Sequence, residues 1–147
     1  MKRLHRQQGF SLIEIMVVLV IMGLLIGIVA PRVLDNIGKA NYGRLFADFK
    51  SIETALQTYR LDNYVYPSSE QGLGALVEKP SLDPVPRKYR ESGYLPKMPK
   101  DPWGRDYLYL SPGESHEFEI FSYGADGVPG GEGDNRDVNN WDNQEDF

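Results

Sequence analysis

The chain has 147 residues, with 16 Lys plus Arg against 21 Asp plus Glu and a formal net charge of −5. That length suits one ordinary domain, and an acidic balance without a basic stripe argues against a protein that grips nucleic acid. Cysteine is absent and histidine occurs twice, so disulfide staples, a thiolate nucleophile and thiolate or multi-histidine metal centres are excluded.

Residues 1–9 carry Lys2, Arg3 and Arg6 and no acid. From Phe10 to Ala30 the chain is apolar apart from Glu14. As a helix this run spans about 32 Å, close to the ~30 Å hydrocarbon core of a bilayer. The basic side stays cytoplasmic and the rest of the chain crosses. Three readings fit such a segment. A cleaved secretory signal would have a shorter apolar region, and Pro31 after Ala30 is a poor cleavage context. A plain signal anchor would only tether the chain. The third reading cuts between Gly9 and Phe10, removing the leader and keeping the helix. Periodicity does not separate the last two.

Glu14 bears on the choice. A lone carboxylate in an apolar segment costs roughly 2.5–3.5 kcal/mol on insertion scales. Placed in the first helical turn, it is favoured by the backbone dipole. A cut after Gly9 would also give Phe10 a cationic amine four residues away, on the same helix face. In an assembly, Glu14 could equally meet the amine of a neighbouring copy and set axial register.

The stretch Gly9-Phe10-Ser11-Leu12-Ile13-Glu14-Ile15-Met16-Val17-Val18 resembles the prepilin-type signal of type IV pilins and pseudopilins. The resemblance implies cleavage after Gly9 by a membrane prepilin peptidase and methylation of the Phe10 amine. It also implies an assembly role for Glu14.

Past Pro31 the chain turns polar but keeps apolar positions at Leu34 and Ile37. Leu45, Phe49, Ile52, Leu56 and Tyr59 follow at helical spacing. One helix is therefore predicted from Phe10 to about Asp62, its second half packed on a globular head. Pro31 should kink it, and Gly23, Gly27, Gly38 and Gly43 weaken it by ~1 kcal/mol each relative to Ala. The resemblance implies that Gly23–Pro31 can unwind on assembly.

Prolines then crowd the chain from Pro67 to Pro102. A short helix is predicted over Ser69–Glu78, capped by Ser69, with Leu73, Leu76 and Val77 inward. Tyr107–Leu110 and Glu117–Tyr123 read as strands around a Ser111-Pro112-Gly113-Glu114 turn, with Phe118 and Ile120 facing the core. The expected fold is α+β: a long helix against a two- or three-stranded antiparallel sheet. Asp101-Pro102-Trp103-Gly104-Arg105-Asp106-Tyr107 reads as a turn with Trp103 over the core rather than a sugar site. This turn, together with Tyr66-Pro67-Ser68-Ser69-Glu70-Gln71-Gly72-Leu73-Gly74-Ala75-Leu76, narrows the resemblance to the major pseudopilins of type II secretion.

From Glu114 to Phe147 there are ten acidic residues against Arg136. Glycines at 124, 127, 130, 131 and 133 permit tight turns that aim carbonyls inward. Asp126, Asp134 and Asp137 offer hard oxygen ligands suited to Ca2+ rather than zinc, and the spacing is not that of an EF-hand. A solvated acidic loop has the same composition. The resemblance favours a calcium-binding loop held by the Tyr123 carbonyl, Asp126, Asp134 and Asp137. Such a loop has little apolar content, so bound metal would contribute to the stability of the head.

The expected organisation is a leader (1–9), a membrane and filament-core helix (10–30) and a periplasmic pilin-like head (31–147). The resemblance implies a structural, non-enzymatic subunit, anchored once in the inner membrane and polymerising with itself into a periplasmic pseudopilus. Prepilin peptidase, minor pseudopilins and an inner-membrane assembly platform are its implied partners. True type IV pilins commonly close their carboxyl end with a disulfide, which a cysteine-free chain cannot form. A membrane-tethered calcium-dependent binding module or hydrolase is the rival from another class. It would lack a Gly-x-Ser-x-Gly elbow and a histidine near the acids.

Overall fold

A computed structural model describes residues 10–147, with the backbone alone for 30–36. The leader, including Gly9, lies outside the described residues; α1, expected to kink at Pro31, stays helical across it. Two compact units divide at Gly38. The long helix, α1, covers Leu12–Asn63. The expected helix was Phe10 to Asp62, so the residue pattern located both ends to within two positions.

In the first unit Ser11 immediately precedes α1, and its carbonyl accepts from the Glu14 N–H at 3.0 Å. Residues 23–29 are helical in the single chain. Every described side chain from Phe10 to Val29 is exposed, and Leu12–Val29 is long and apolar enough to cross a membrane. Ile37, an apolar position outside the five-residue stripe, is exposed.

The second unit, Lys39–Phe147, is the head. Leu45, Phe49, Ile52, Leu56 and Tyr59 are all buried, as their spacing demands. Full burial of such a side chain stabilises by roughly 1.5–3 kcal/mol, so this stripe is the main apolar contribution of α1 to the head. Against it stands a three-stranded antiparallel sheet in the order β1 (Leu108–Leu110), β2 (Glu119–Ser122), β3 (Val138–Asn139). Ile120 and Val138 reach the core from the sheet, and Tyr107 from the residue before β1. The Tyr107 hydroxyl donates to Asp48 on α1 at 2.9 Å. Burial, reinforced by that carboxylate, pushes the Tyr107 pKa well up.

Two local expectations change. The helix expected over Ser69–Glu78 shrinks to a 3-10 turn at Leu73–Leu76. Gly72 takes φ +63°, a left-handed conformation that ends regular winding there. Ser69 is not the cap: the 3-10 turn starts from Gly72 without a side-chain cap, and a reciprocal pair closes the turn before it. Ser68 and Gln71 exchange reciprocal bonds, Gln71 N–H to Ser68 Oγ at 3.2 Å and Ser68 N–H to Gln71 Oε1 at 3.0 Å. Ser69 instead tethers the end of β1, accepting from Ser111 N–H at 2.8 Å. Alternation in β2 fails at Glu119, which is buried beside Ile120. Its carboxylate accepts from the Ser115 N–H at 2.9 Å, so it braces the β1–β2 connection rather than facing water.

Candidate functional site

Two regions carry the sequence-expected functional residues. At the start of α1, Glu14 is exposed and its Oε2 accepts from the Ser11 N–H at 3.4 Å. The carboxylate thus satisfies one of the amide donors that a helix start leaves free. It remains exposed on the helix surface. Phe10 is exposed one position before Ser11, and Gly9 lies outside the described residues.

The second region is the loop between β2 and β3. It leaves β2 at Ser122 and is pinned at three points. Asp101, almost wholly buried, sits under it: its Oδ2 accepts from Ser122 Oγ at 2.9 Å. The Asp101 Oδ1 accepts from the Trp103 and Arg105 N–H groups at 3.1 and 2.7 Å. Arg105 then reaches across, donating to the Gly124 and Ala125 carbonyls, each at 2.8 Å. The Asp-Pro-Trp-Gly-Arg turn is therefore the clamp of the loop, a role that sequence reasoning missed. Its legible signal was an Asp and an Arg four residues apart around a Pro/Gly turn. Finally, Tyr42 on α1 donates its hydroxyl to the Gly133 carbonyl at 2.7 Å.

Inside the loop Gly124 has φ +62°, and a Cβ there would lie 2.7–2.8 Å from the backbone of Asp134, Asn135 and Arg136. The two arms of the loop are thus in backbone contact, and the Ala125 N–H donates to the Asp134 carbonyl at 2.8 Å. The Tyr123 carbonyl accepts from Gly127 N–H at 3.2 Å and keeps one lone pair. Asp126 is exposed and accepts from Val128 N–H at 3.0 Å. Asp134 is exposed on the far arm. Asp137 is half-buried. Its Oδ2 accepts from Gly130 N–H at 2.9 Å, while its Oδ1 is buried with no hydrogen-bond partner among the described residues.

The expected metal ligands therefore share one clamped loop, but they do not form a cluster of carboxylates. Among the described residues no group of three or more His, Cys, Asp or Glu side chains is arranged to hold a metal ion. What the loop does present is one buried carboxylate oxygen, Asp137 Oδ1, without a donor among the described residues. A buried carboxylate oxygen without a donor is costly unless a cation or proton reaches it. An all-oxygen donor set is the chemistry that Ca2+ takes, with carbonyls and water completing the shell. The loop supplies oxygen donors of that type, although its carboxylates are not gathered around one point.

The family model described as type II secretion system (T2SS), protein G matches residues 32–141, and that of the prokaryotic N-terminal methylation motif matches residues 4–30. The type II secretion system core protein G of Vibrio cholerae is 51% identical over 147 residues, covering 100% of this chain and 99% of that protein. Its Pseudomonas aeruginosa counterpart is 49% identical, covering 95% of this chain and 98% of that protein. The crystal structure of the major pseudopilin from the type 2 secretion system of enterohaemorrhagic Escherichia coli superposes with a TM-score of 0.66 at 47% identity. It covers 74% of this chain and 92% of that one.

Proposed function

The chain belongs to the type II secretion system protein G family, and we propose from that premise how its residues perform the family's work. It is a structural subunit of the pseudopilus, the filament that helps drive folded exoproteins across the outer membrane. The pilin-like α+β fold, with one long helix and a small antiparallel sheet, is the fold of that subunit. The role is structural rather than catalytic.

The observation that carries the reading is the uncovered apolar helix. The described side chains from Phe10 to Val29 find no cover among the described residues. A surface of that size is stable only in lipid or against other apolar helices. Before assembly the segment lies in the inner membrane, with the head in the periplasm. Prepilin peptidase cuts between Gly9 and Phe10, and the new Phe10 amine is methylated. In the filament the helices of many copies bundle, so the segment leaves lipid without entering water. Glu14 then pairs with the Phe10 amine of a neighbour. Within an apolar bundle a mismatched register would strand both charges, so the pair selects one axial stagger. The assembly platform and minor pseudopilins complete the machinery at the base and tip.

The head is held together at its carboxyl end by the β2–β3 loop. The Tyr123 carbonyl and the carboxylates of Asp126, Asp134 and Asp137 would hold a calcium ion. The orphaned Asp137 Oδ1 supports the assignment. Bound there, the ion supplies positive charge that the acidic loop lacks and ties together two arms with little apolar surface to bury. Asp101 and Arg105 do the remaining work by fixing where the loop leaves the sheet.

Mass spectrometry of filaments tests the processing: the chain should begin at Phe10 and carry one extra methyl on its amine. Filaments that retain Met1 would overturn it. Glu14→Ala should leave the precursor in the membrane but reduce filament yield by about tenfold or more, since a desolvated charge pair exceeds the ~1.4 kcal/mol that a decade represents. Wild-type filament yield from that variant would remove the register role.

A further inference from the structure

The carboxyl end of α1 terminates in an unusual way. Tyr64 takes φ +66°, and no other described non-glycine residue has positive φ. Its N–H donates to the Arg60 carbonyl at 2.7 Å, the bond of a left-handed helix cap. That position normally belongs to glycine, because a side chain there is strained. The strain secures no packing within the chain, since Tyr64 is 79% exposed. Backbone strain retained for an exposed aromatic points to a role outside the folded subunit.

Tyr64 stands between two concavities. On one side Gln57, Arg60, Leu61 and Tyr66 line a shallow groove with it. On the other, Val65 and the facing strip Pro84–Lys88 line a cleft of about 390 Å3. Leu61, 78% exposed, and the exposed Val65 and Val85 extend the apolar surface. Arg87 and Lys88, both exposed, give its rim positive charge, while the one acid in its lining, Asp62, is paired with Arg90 at 2.6 Å.

The opposite pole of the head helix carries two exposed acids beside one cation, Arg136, whose guanidinium lies 4.2 Å over the Phe147 ring and donates to the Asp146 carbonyl. Phe147 packs on Tyr42 and Phe46, with ring centroids 4.8 and 5.6 Å apart, so the carboxyl end of the chain lies against the first turns of the head helix. Tyr42 and Tyr64 are separated along α1 by about 33 Å at ~1.5 Å per residue. Around Phe147 the chain presents the exposed acids Glu145 and Asp146, whose side chains form no ion pair among the described residues. Opposite charge at opposite ends of one axis suits a head-to-tail contact between copies. Such a contact uses two different patches and generates an open filament when its rotation does not close.

We propose that the Tyr64 surface docks the acidic carboxyl end, residues 144–147, of a second copy of this chain. Tyr64 is its aromatic centre, and Arg87 and Lys88 face Glu145 and Asp146 of the neighbour. The proposal rests on the assembly reading above and adds to it the surface through which heads stack. Tyr64→Gly separates docking from folding, because glycine relieves the strain. In full-length chain expressed with the secretion apparatus, the variant head should melt a few degrees higher while filament yield falls by about tenfold. Arg87→Glu with Lys88→Glu should reduce filaments similarly, and adding Glu145→Lys with Asp146→Lys should restore them. Wild-type filament yield from Tyr64→Gly, or charge reversal without rescue, would overturn the contact while leaving the assembly reading standing. Absence of filaments from the wild-type chain in the same cells would overturn the assembly reading itself, and this contact with it.

Discussion

Replacing Asp101 by alanine should be the most destabilising single change in the head outside the apolar core. The carboxylate is 2% exposed and accepts three hydrogen bonds, from the Trp103 and Arg105 amides and the Ser122 hydroxyl. Each bond to a charged acceptor contributes ~1.5–3 kcal/mol, and removing the acceptor leaves buried donors unpaired. Asp101→Ala removes all three and also frees Arg105 from the turn that aims it at Gly124 and Ala125. The expected loss is ~3–5 kcal/mol, as for breaking other buried charged networks. Ser122→Ala removes one of the three and should cost ~1–3 kcal/mol. Because both changes disrupt the same bond, the double variant should lose less than the sum of the singles by ~1–2 kcal/mol. Urea unfolding of the head, followed by tryptophan fluorescence, reads all four states of the cycle. A loss below ~1 kcal/mol for Asp101→Ala, or strict additivity with Ser122→Ala, would refute the keystone role.

Chelating divalent metal should lower the melting temperature of the head, and Asp137→Ala or Asp126→Ala should produce the same loss in the presence of calcium. An ion at 100 times its dissociation constant contributes ~2.7 kcal/mol, so a melting curve unmoved by chelator would dismiss the metal. Gly124→Ala should destabilise by ~2 kcal/mol or more, since the new methyl meets backbone carbonyl oxygens 2.8 Å away at positive φ; a neutral result by calorimetry would refute the tight packing of the loop arms. Alkaline titration should reveal the buried tyrosines. Burial, reinforced by Tyr94 and Tyr89, pushes Tyr59 up to about 12, and burial likewise pushes Tyr109 to about 12, against 10.0 for the free side chain. The folded state therefore holds protons that the unfolded state releases. That contribution is complete below pH ~10 and is lost as pH rises from about 10 toward 12. The Tyr59 hydroxyl is buried without a partner among the described residues, so Tyr59→Phe should hold or raise stability and blunt the alkaline loss. A marked loss at neutral pH in that variant would refute this account.

Much of this fold is written locally. The apolar run beginning at Phe10 and the stripe from Leu45 to Tyr59 each have a period that admits one secondary structure, and α1 ends where both run out. The antiparallel pairing of β1 and β2 was equally legible from two short alternating segments and the Pro/Gly turn between them. Glu119 was not. Its inward position depends on the Ser115 amide, which the connection brings back over β2. The short helix after Ser69 failed because Gly72 adopts a left-handed conformation that composition permits but does not require.

Residue type alone sufficed for the elements whose physics is one-dimensional: the lipid-length helix, its acidic first turn and the buried face of its second half. Tertiary structure decided which oxygens are left without donors, that Arg105 clamps the loop, and that the carboxyl end comes to rest on Tyr42. Those outcomes depend on contacts between residues as far apart in the chain as Arg105 and Gly124, Tyr42 and Gly133, and Tyr42 and Phe147. Hydrophobic period carries no information about such pairings, because they are set by the geometry of hydrogen bonds formed only after the sheet has closed on the helix.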